Sequence, residues 1–229
     1  MDLFDAIVAR RSIRKYIDKP VEFNKITKII EAGRYAPSSG NLEDRRFILV
    51  TDKGLIEKIS HNCGEQYWIA TAPVVVIACA MTDINERNYG LRGKRLYTVQ
   101  NTAVAIENML LAATSLGLGS CWIGAFNEEK IKEIFKIPDN IRPQAVLTFG
   151  YSDYIPKKRK LKPIESYFYS DKYGTAASSP HIYLKDFSVE WNKKLQESQD
   201  FFVRFFKRMK KAWGKVFLGE NNKNNKGKK

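Results

Sequence analysis

Residues 98–126, TVQNTAVAIENMLLAATSLGLGSCWIGAF, contain the longest strongly apolar helical stretch of the chain, and the rest of the sequence is read outward from it. Val99, Ala103, Ile106, Leu110 and Ala113 recur at helical spacing, which predicts a central helix over 98–116 with that side turned inward. Gly117 ends it, because glycine accepts the left-handed conformation in which helices commonly stop. A short strand is expected over 120–123, followed at Gly124-Ala125 by a turn of small residues whose backbone amides can be approached closely. Upstream, 2–11 and 22–35 carry apolar residues at helical spacing, 47–51 reads as a strand and 55–63 as a helix. The valine-rich, continuously apolar 73–81 reads as a strand buried on both faces. Residues 83–97 show no apolar period and read as a loop, 128–135 is helical before Pro138, and 144–151 closes the series as a strand.

The 229 residues are 44% hydrophobic and 28% charged, a globular composition that excludes collagen-like, fully disordered and disulfide-scaffold chains. No apolar run approaches the roughly 20 residues of a membrane span, and the N-terminus lacks a basic region followed by an apolar one, so a cytoplasmic address is expected. Cys63, Cys79 and Cys121 are odd in number and never form a Cys-x-x-Cys pair, and neither His61 nor His181 stands at ligand spacing from them. Neither disulfides nor a metal site is expected. Of the net charge of +14, more than half falls in residues 175–229, which hold 13 Lys and Arg against 5 Asp and Glu. Such a skew marks an appended segment with an electrostatic partner of its own.

Familiar catalytic signatures are missing. Gly117-Leu118-Gly119 begins like a dinucleotide fingerprint, but its sixth position is Trp122 and it follows a helix instead of a strand. There is no phosphate-binding Walker loop, no Gly-x-Ser-x-Gly elbow and no histidine-based triad, a pattern compatible with chemistry carried by a cofactor. Three segments could hold one. In RRSIRKY, residues 10–16, Arg10, Arg11, Ser12 and Arg14 gather guanidinium forks and a hydroxyl suited to phosphate oxygens. In APSSGN, residues 36–41, small side chains let backbone amides approach a planar ligand, and Asn41 offers both donor and acceptor. The third is the turn at Gly124-Ala125. Taken singly, they read first as a solvated basic turn, a surface loop and a tight glycine turn.

Their combination and order resemble the FMN-dependent nitroreductase family over residues 1–174, together with YGLRGKRLY at 89–97 and FGYS at 149–152 before a basic loop. The resemblance implies an α+β sandwich, with a mixed, mainly antiparallel sheet flanked by helices, in a domain-entwined homodimer. It implies FMN held by Arg10, Arg11, Ser12 and Arg14 at the phosphate and ribityl chain, and by Arg159 or Lys160 as a later basic contact. Pro37, Ser38, Ser39 and Asn41 would contribute from the other subunit, and Gly124 and Ala125 would present amides near flavin N5 and O4. The implied activity is ping-pong electron transfer from NAD(P)H to a small acceptor such as a nitroaromatic or quinone. Same-fold enzymes that dehalogenate reductively or fragment flavin, and a non-enzymatic flavin-binding module, are the alternatives. Where many relatives carry Gln-Pro-Trp or Gln-Asp-Trp, this chain has Glu43-Asp44-Arg45, and Asn101 and Glu107 stand where Asp and Gln are common.

Residues 175–229 form a basic extension. Trp191, Leu195, Phe202, Phe205, Phe206, Met209, Trp213, Val216 and Phe217 line one side of an expected helix over 186–218, before a disordered Asn/Lys tail. Packing against the core or the partner subunit, binding an anionic membrane surface from the cytoplasm, and binding nucleic acid or another polyanion all suit such a helix. The run 156–160, PKKRK, looks like a targeting peptide, but in a chain this rich in Lys a flavin-phosphate or solvated loop is the expected reading.

Overall fold

In the computed structural model residues 1–157, 160–175 and 196 are described, and the chain divides into two units, Met1–Lys158 and Arg159–Lys229. In the first unit four strands, β1 (Arg45–Val50), β2 (Val74–Met81), β3 (Gly119–Ile123) and β4 (Ile141–Gly150), form one sheet in the order β1-β2-β4-β3. All three neighbouring pairs are antiparallel, and the single parallel link among the described residues is a bridge between Ser12 and Ser120. Pro143, which has no N–H to give the ladder, sits opposite Cys79 where the β2–β4 register shifts, a position that tolerates it.

The unbroken apolar run of β2 is explained by its two buried faces. Val75, Ile77 and Cys79 point into one core with Ile56 and Ile59 of α3 (Lys53–Asn62) and Ile131 of α6 (Glu128–Phe135). Val74, Val76 and Ala78 point into the other, with Ile26 and Ile29 of α2 (Phe23–Arg34) and Ile106, Met109, Leu110 and Ala113 of α5 (Thr98–Ser115). The result is an α+β sandwich with helices on both sides of the sheet. Helix starts are fixed locally: Asp52 caps α3 by accepting the Leu55 N–H at 2.8 Å, and Asn127 caps α6 by accepting the Lys130 N–H at 3.0 Å.

Two sequence expectations are corrected. Residues 83–97, read as a loop, are helical: α4 (Thr82–Arg92) is broken at Gly90, whose φ is 59°, and continues through a π-helical turn, Gly93–Tyr97, into α5. With few apolar residues in TDINERNYGLR there is no stripe for a periodicity argument to detect. Along α5, Val99 is 42% exposed and does not face the core. At this end the buried face is polar, made by Thr98, Asn101 and Thr102, so the apolar stripe of the first turn faces outward.

The second unit contains a short 3-10 turn, Ile164–Ser166, closed by the Tyr167 N–H donating to the Ile164 carbonyl at 2.9 Å. Apart from Gln196, which is helical, the extension expected over 186–218 and its Asn/Lys tail lie outside the described residues. No helix among the described residues is long and apolar enough to cross a membrane.

Two measurements check this packing. A Cβ on Gly150 would stand 2.6 Å from Pro73 and 2.8 Å from the Tyr16 ring, so Gly150→Ala is expected to cost about 1–3 kcal/mol in urea unfolding. Burial pushes the Cys63 and Cys79 thiols up to about 12, above the 9.0 of a free thiol. The unfolded chain therefore releases these protons first, and the stability they contribute is complete below pH 9 and declines as pH rises toward 12. Urea midpoints at pH 8 and 10.5 will show the decline, and Cys79→Ala will lessen it.

Candidate functional site

After α1 (Leu3–Ala9) the chain runs extended along the outer edge of β3. The Ile13 N–H donates to the Ser120 carbonyl at 2.9 Å, and the Ile13 side chain is buried. Tyr16, also buried, hydrogen-bonds through its hydroxyl to the Ile13 carbonyl at 2.9 Å and to Thr148 Oγ1 at 2.7 Å. Arg10, Ser12 and Arg14 flank Ile13 along this segment. All three act on Cys121. Burial pushes that thiol up, while Arg14, a hydrogen bond with Ser12, and Arg10 each pull it down. Two guanidinium groups and a hydroxyl thus lie within electrostatic reach of one sulfur.

Each arginine has a distinct partner. Arg10 Nε lies 3.3 Å from Glu107 Oε1 of α5, and the Arg14 guanidinium sits 5.9 Å from the centre of the Trp68 ring. Arg11 turns back toward α1, its Nη1 donating to the Val8 carbonyl at 2.7 Å and the Arg10 carbonyl at 2.8 Å. Gly124 and Ala125 follow β3 and are exposed, and a Cβ added to Gly124 would meet nothing within 4 Å. Arg159 lies outside the described residues, and Lys160 belongs to the second unit.

The 36–41 loop is held from behind by a buried polar cluster. Ser39 donates twice to Asn101 Oδ1, through its N–H and its hydroxyl, each at 3.0 Å. Asn101 Nδ2 donates to Asp44 Oδ1 and Oδ2 at 3.1 and 3.2 Å, and Asn85 Nδ2 donates to Asp44 Oδ2 at 2.6 Å. Arg45 donates through Nη1 to the Ala36 and Pro37 carbonyls at 2.9 and 2.8 Å, and its burial pulls the guanidinium pKa down. Ser38 Oγ accepts the Glu43 N–H at 3.1 Å, while Pro37 and Asn41 are exposed. Gly40 and Asn41 both have positive φ, 56° and 55°.

Sequence reasoning missed Asp44, Arg45 and Asn85 as parts of the loop's support. Asp44 and Arg45 carried a signal, since they replace residues common in relatives. Asn85 carried none, lying in the unpatterned 83–97. Helix α5 bears both supports: Asn101 and Glu107 are about 9 Å apart along its axis and about 120° apart around it. The loop and Arg10 are therefore pinned to different faces of one helix. A cavity of about 390 Å³ lies elsewhere, lined by Leu3, Ala6, Tyr35, Asn108 and Leu111 among others.

Comparison with known proteins identifies the family. The model of the nitroreductase family matches residues 7–66 and 56–151. An FMN reductase [NAD(P)H] of Bacillus subtilis is 32% identical over 188 residues, covering 75% of this chain and 74% of that protein. An oxygen-insensitive NADPH nitroreductase of Salmonella typhimurium is 32% identical over 178 residues, covering 74% of this chain and 73% of that protein. A nitroreductase family protein of known structure from Clostridium novyi superposes with a TM-score of 0.62 at 35% identity, covering 77% of this chain and 97% of that one. The chain belongs to the nitroreductase family.

The tightness of the loop is testable. A Cβ at Gly40 would collide with the Tyr89 hydroxyl and would also be held in the left-handed region, so Gly40→Ala should lower stability by about 1–2 kcal/mol for the backbone alone, and more for the collision. Thermal unfolding of Gly40→Ala in a Tyr89→Phe background is expected to recover the collision part only.

Proposed function

We propose that this chain is an FMN-dependent oxidoreductase that draws electrons from NAD(P)H and passes them to a small acceptor such as a nitroaromatic or quinone. Family membership and the FMN reductase and NADPH nitroreductase relatives support the cofactor and the reductant. The observation that carries the site is that Arg10, Ser12 and Arg14 follow one another along the segment bridged to the edge of β3 at Ser12 and Ser120. Two guanidinium groups and a hydroxyl are a donor set that fits a phosphate, because charged N–H donors to phosphate oxygens are short and strong. Arg11 steadies the segment by binding the end of α1.

Arg10 already faces one anion. Exchanging the half-exposed carboxylate of Glu107 for a phosphate replaces one ion pair by another, so binding does not leave Glu107 buried and uncompensated. Gly124 and Ala125 are exposed, so their backbone amides are within reach of a flavin ring, and Pro37, Ser38 and Asn41, with Ser39 as the loop's anchor, come from the second subunit of a homodimer. The exposed Val99 and Val104 on the outer side of α5 support that dimer, since apolar side chains on a central helix favour burial. When bound, FMN supplies the hydride-accepting and electron-donating centre. The protein's part is electrostatic: guanidinium groups neutralise the phosphate, and fixed amide dipoles favour negative charge on the ring. Three free, buried cysteines support a reducing, cytoplasmic setting, and the basic extension supports contact with an anionic surface.

The visible spectrum of the purified protein, before and after anaerobic NADH or NADPH, tests the reading. A flavin spectrum that bleaches is expected. One that persists with both reductants indicates a binding module, and a colourless protein that FMN does not reconstitute rejects the site. Arg10→Ala and Arg14→Ala are each expected to weaken FMN binding about tenfold or more with little change in thermal midpoint, measured by flavin fluorescence quenching.

A further inference from the structure

Asp44 is fully buried, and the polar partners around its carboxylate are the side-chain amides of Asn85 and Asn101. A carboxylate only accepts, so both amides turn their NH₂ groups toward it. Asn85 does so with its own Oδ1 buried and without a hydrogen-bond partner. For Asn101 the consequence lies on its other side. With Nδ2 committed to Asp44, Oδ1 faces Ser39 and receives both the N–H and the hydroxyl. The reversed amide would set a donor against the Ser39 N–H, which can only donate. The backbone at 44 is fixed as well, because the Met81 N–H donates to the Asp44 carbonyl at 2.7 Å.

We propose that Asp44 is a positioning residue for the 36–41 loop: its buried carboxylate sets the Asn101 amide, and that amide anchors Ser39. Ser39 thereby serves as the anchor that turns its donors inward, leaving Ser38, Asn41 and the loop backbone to face the ligand. Arg45 completes the support by holding the carbonyls of Ala36 and Pro37, so the stretch that departs from the common family pattern is the stretch on which the loop rests. The role in flavin binding depends on the site reading above, whereas the anchoring itself does not.

The test moves the charge across the hydrogen bond. Full-length wild type, Asp44→Asn, Asn101→Asp and the double variant are compared by FMN titration, by thermal unfolding, and by amide hydrogen exchange of a peptide spanning 36–41 without flavin. Asp44→Asn removes the acceptor-only partner, and is expected to raise exchange in the loop and to weaken FMN binding about tenfold. Asn101→Asp places two carboxylates face to face, and is expected to be worse in all three readouts. In the double variant the carboxylate moved to position 101 accepts the Ser39 donors and the amide N–H now at position 44. The carbonyl oxygen of that new amide accepts from Asn85, so loop protection and FMN affinity should return to within about threefold of wild type. A merely space-filling role would give no such recovery. Wild-type loop exchange in Asp44→Asn, or a double variant no better than the worse single one, overturns the proposal. If the wild type binds no FMN the flavin reading fails, and hydrogen exchange still judges the anchor.

Discussion

Everything in the first unit leans on the contact between α5 and the central strands. Ile106, Met109, Leu110 and Ala113 are buried against Val74, Val76, Ala78, Leu147 and Phe149, at roughly 1.5–3 kcal/mol for each large side chain taken out of water. That burial fixes the helix's rotation about its own axis. Rotation in turn decides which side chains its polar positions present: Asn101 meets Asp44 and Ser39, and Glu107 meets Arg10. The segment carrying Arg10 and the small-residue loop are thus located by the apolar packing of the same helix.

The strands, the buried character of β2 and most helices were legible because their apolar periods are strong and their capping residues local. What escaped was polar. α4 has no apolar stripe, so its helical state follows from its neighbours and from the Gly90 break, neither of which a period reveals. The first turn of α5 misled for a related reason: apolar Val99 points outward while Thr98, Asn101 and Thr102 are buried, an inversion that a buried carboxylate on another segment permits. Hydrophobic pattern finds cores, and it does not find a polar cluster assembled from residues 39, 44, 85 and 101.

The candidate site divides in the same way. Arg10, Ser12 and Arg14 stand close together in the sequence as candidate phosphate donors, and the structure gives Arg10 to Glu107 and Arg14 to the Trp68 ring. Arg11, in the same cluster of sequence, turns to the end of α1 instead. Ser39 looks from composition like a ligand-facing hydroxyl and is spoken for by Asn101. Composition names the donors available in a loop, and only the fold assigns their directions.

The central claim is that the edge of β3 forms the phosphate end of a flavin site. A crystal structure of the full chain grown with FMN addresses it most directly. Phosphate oxygens are expected within about 3.2 Å of the Arg10, Ser12 and Arg14 side chains, with Ser39 still bonded to Asn101. A flavin phosphate seated away from these three residues, with Arg10 still paired to Glu107, would contradict the claim.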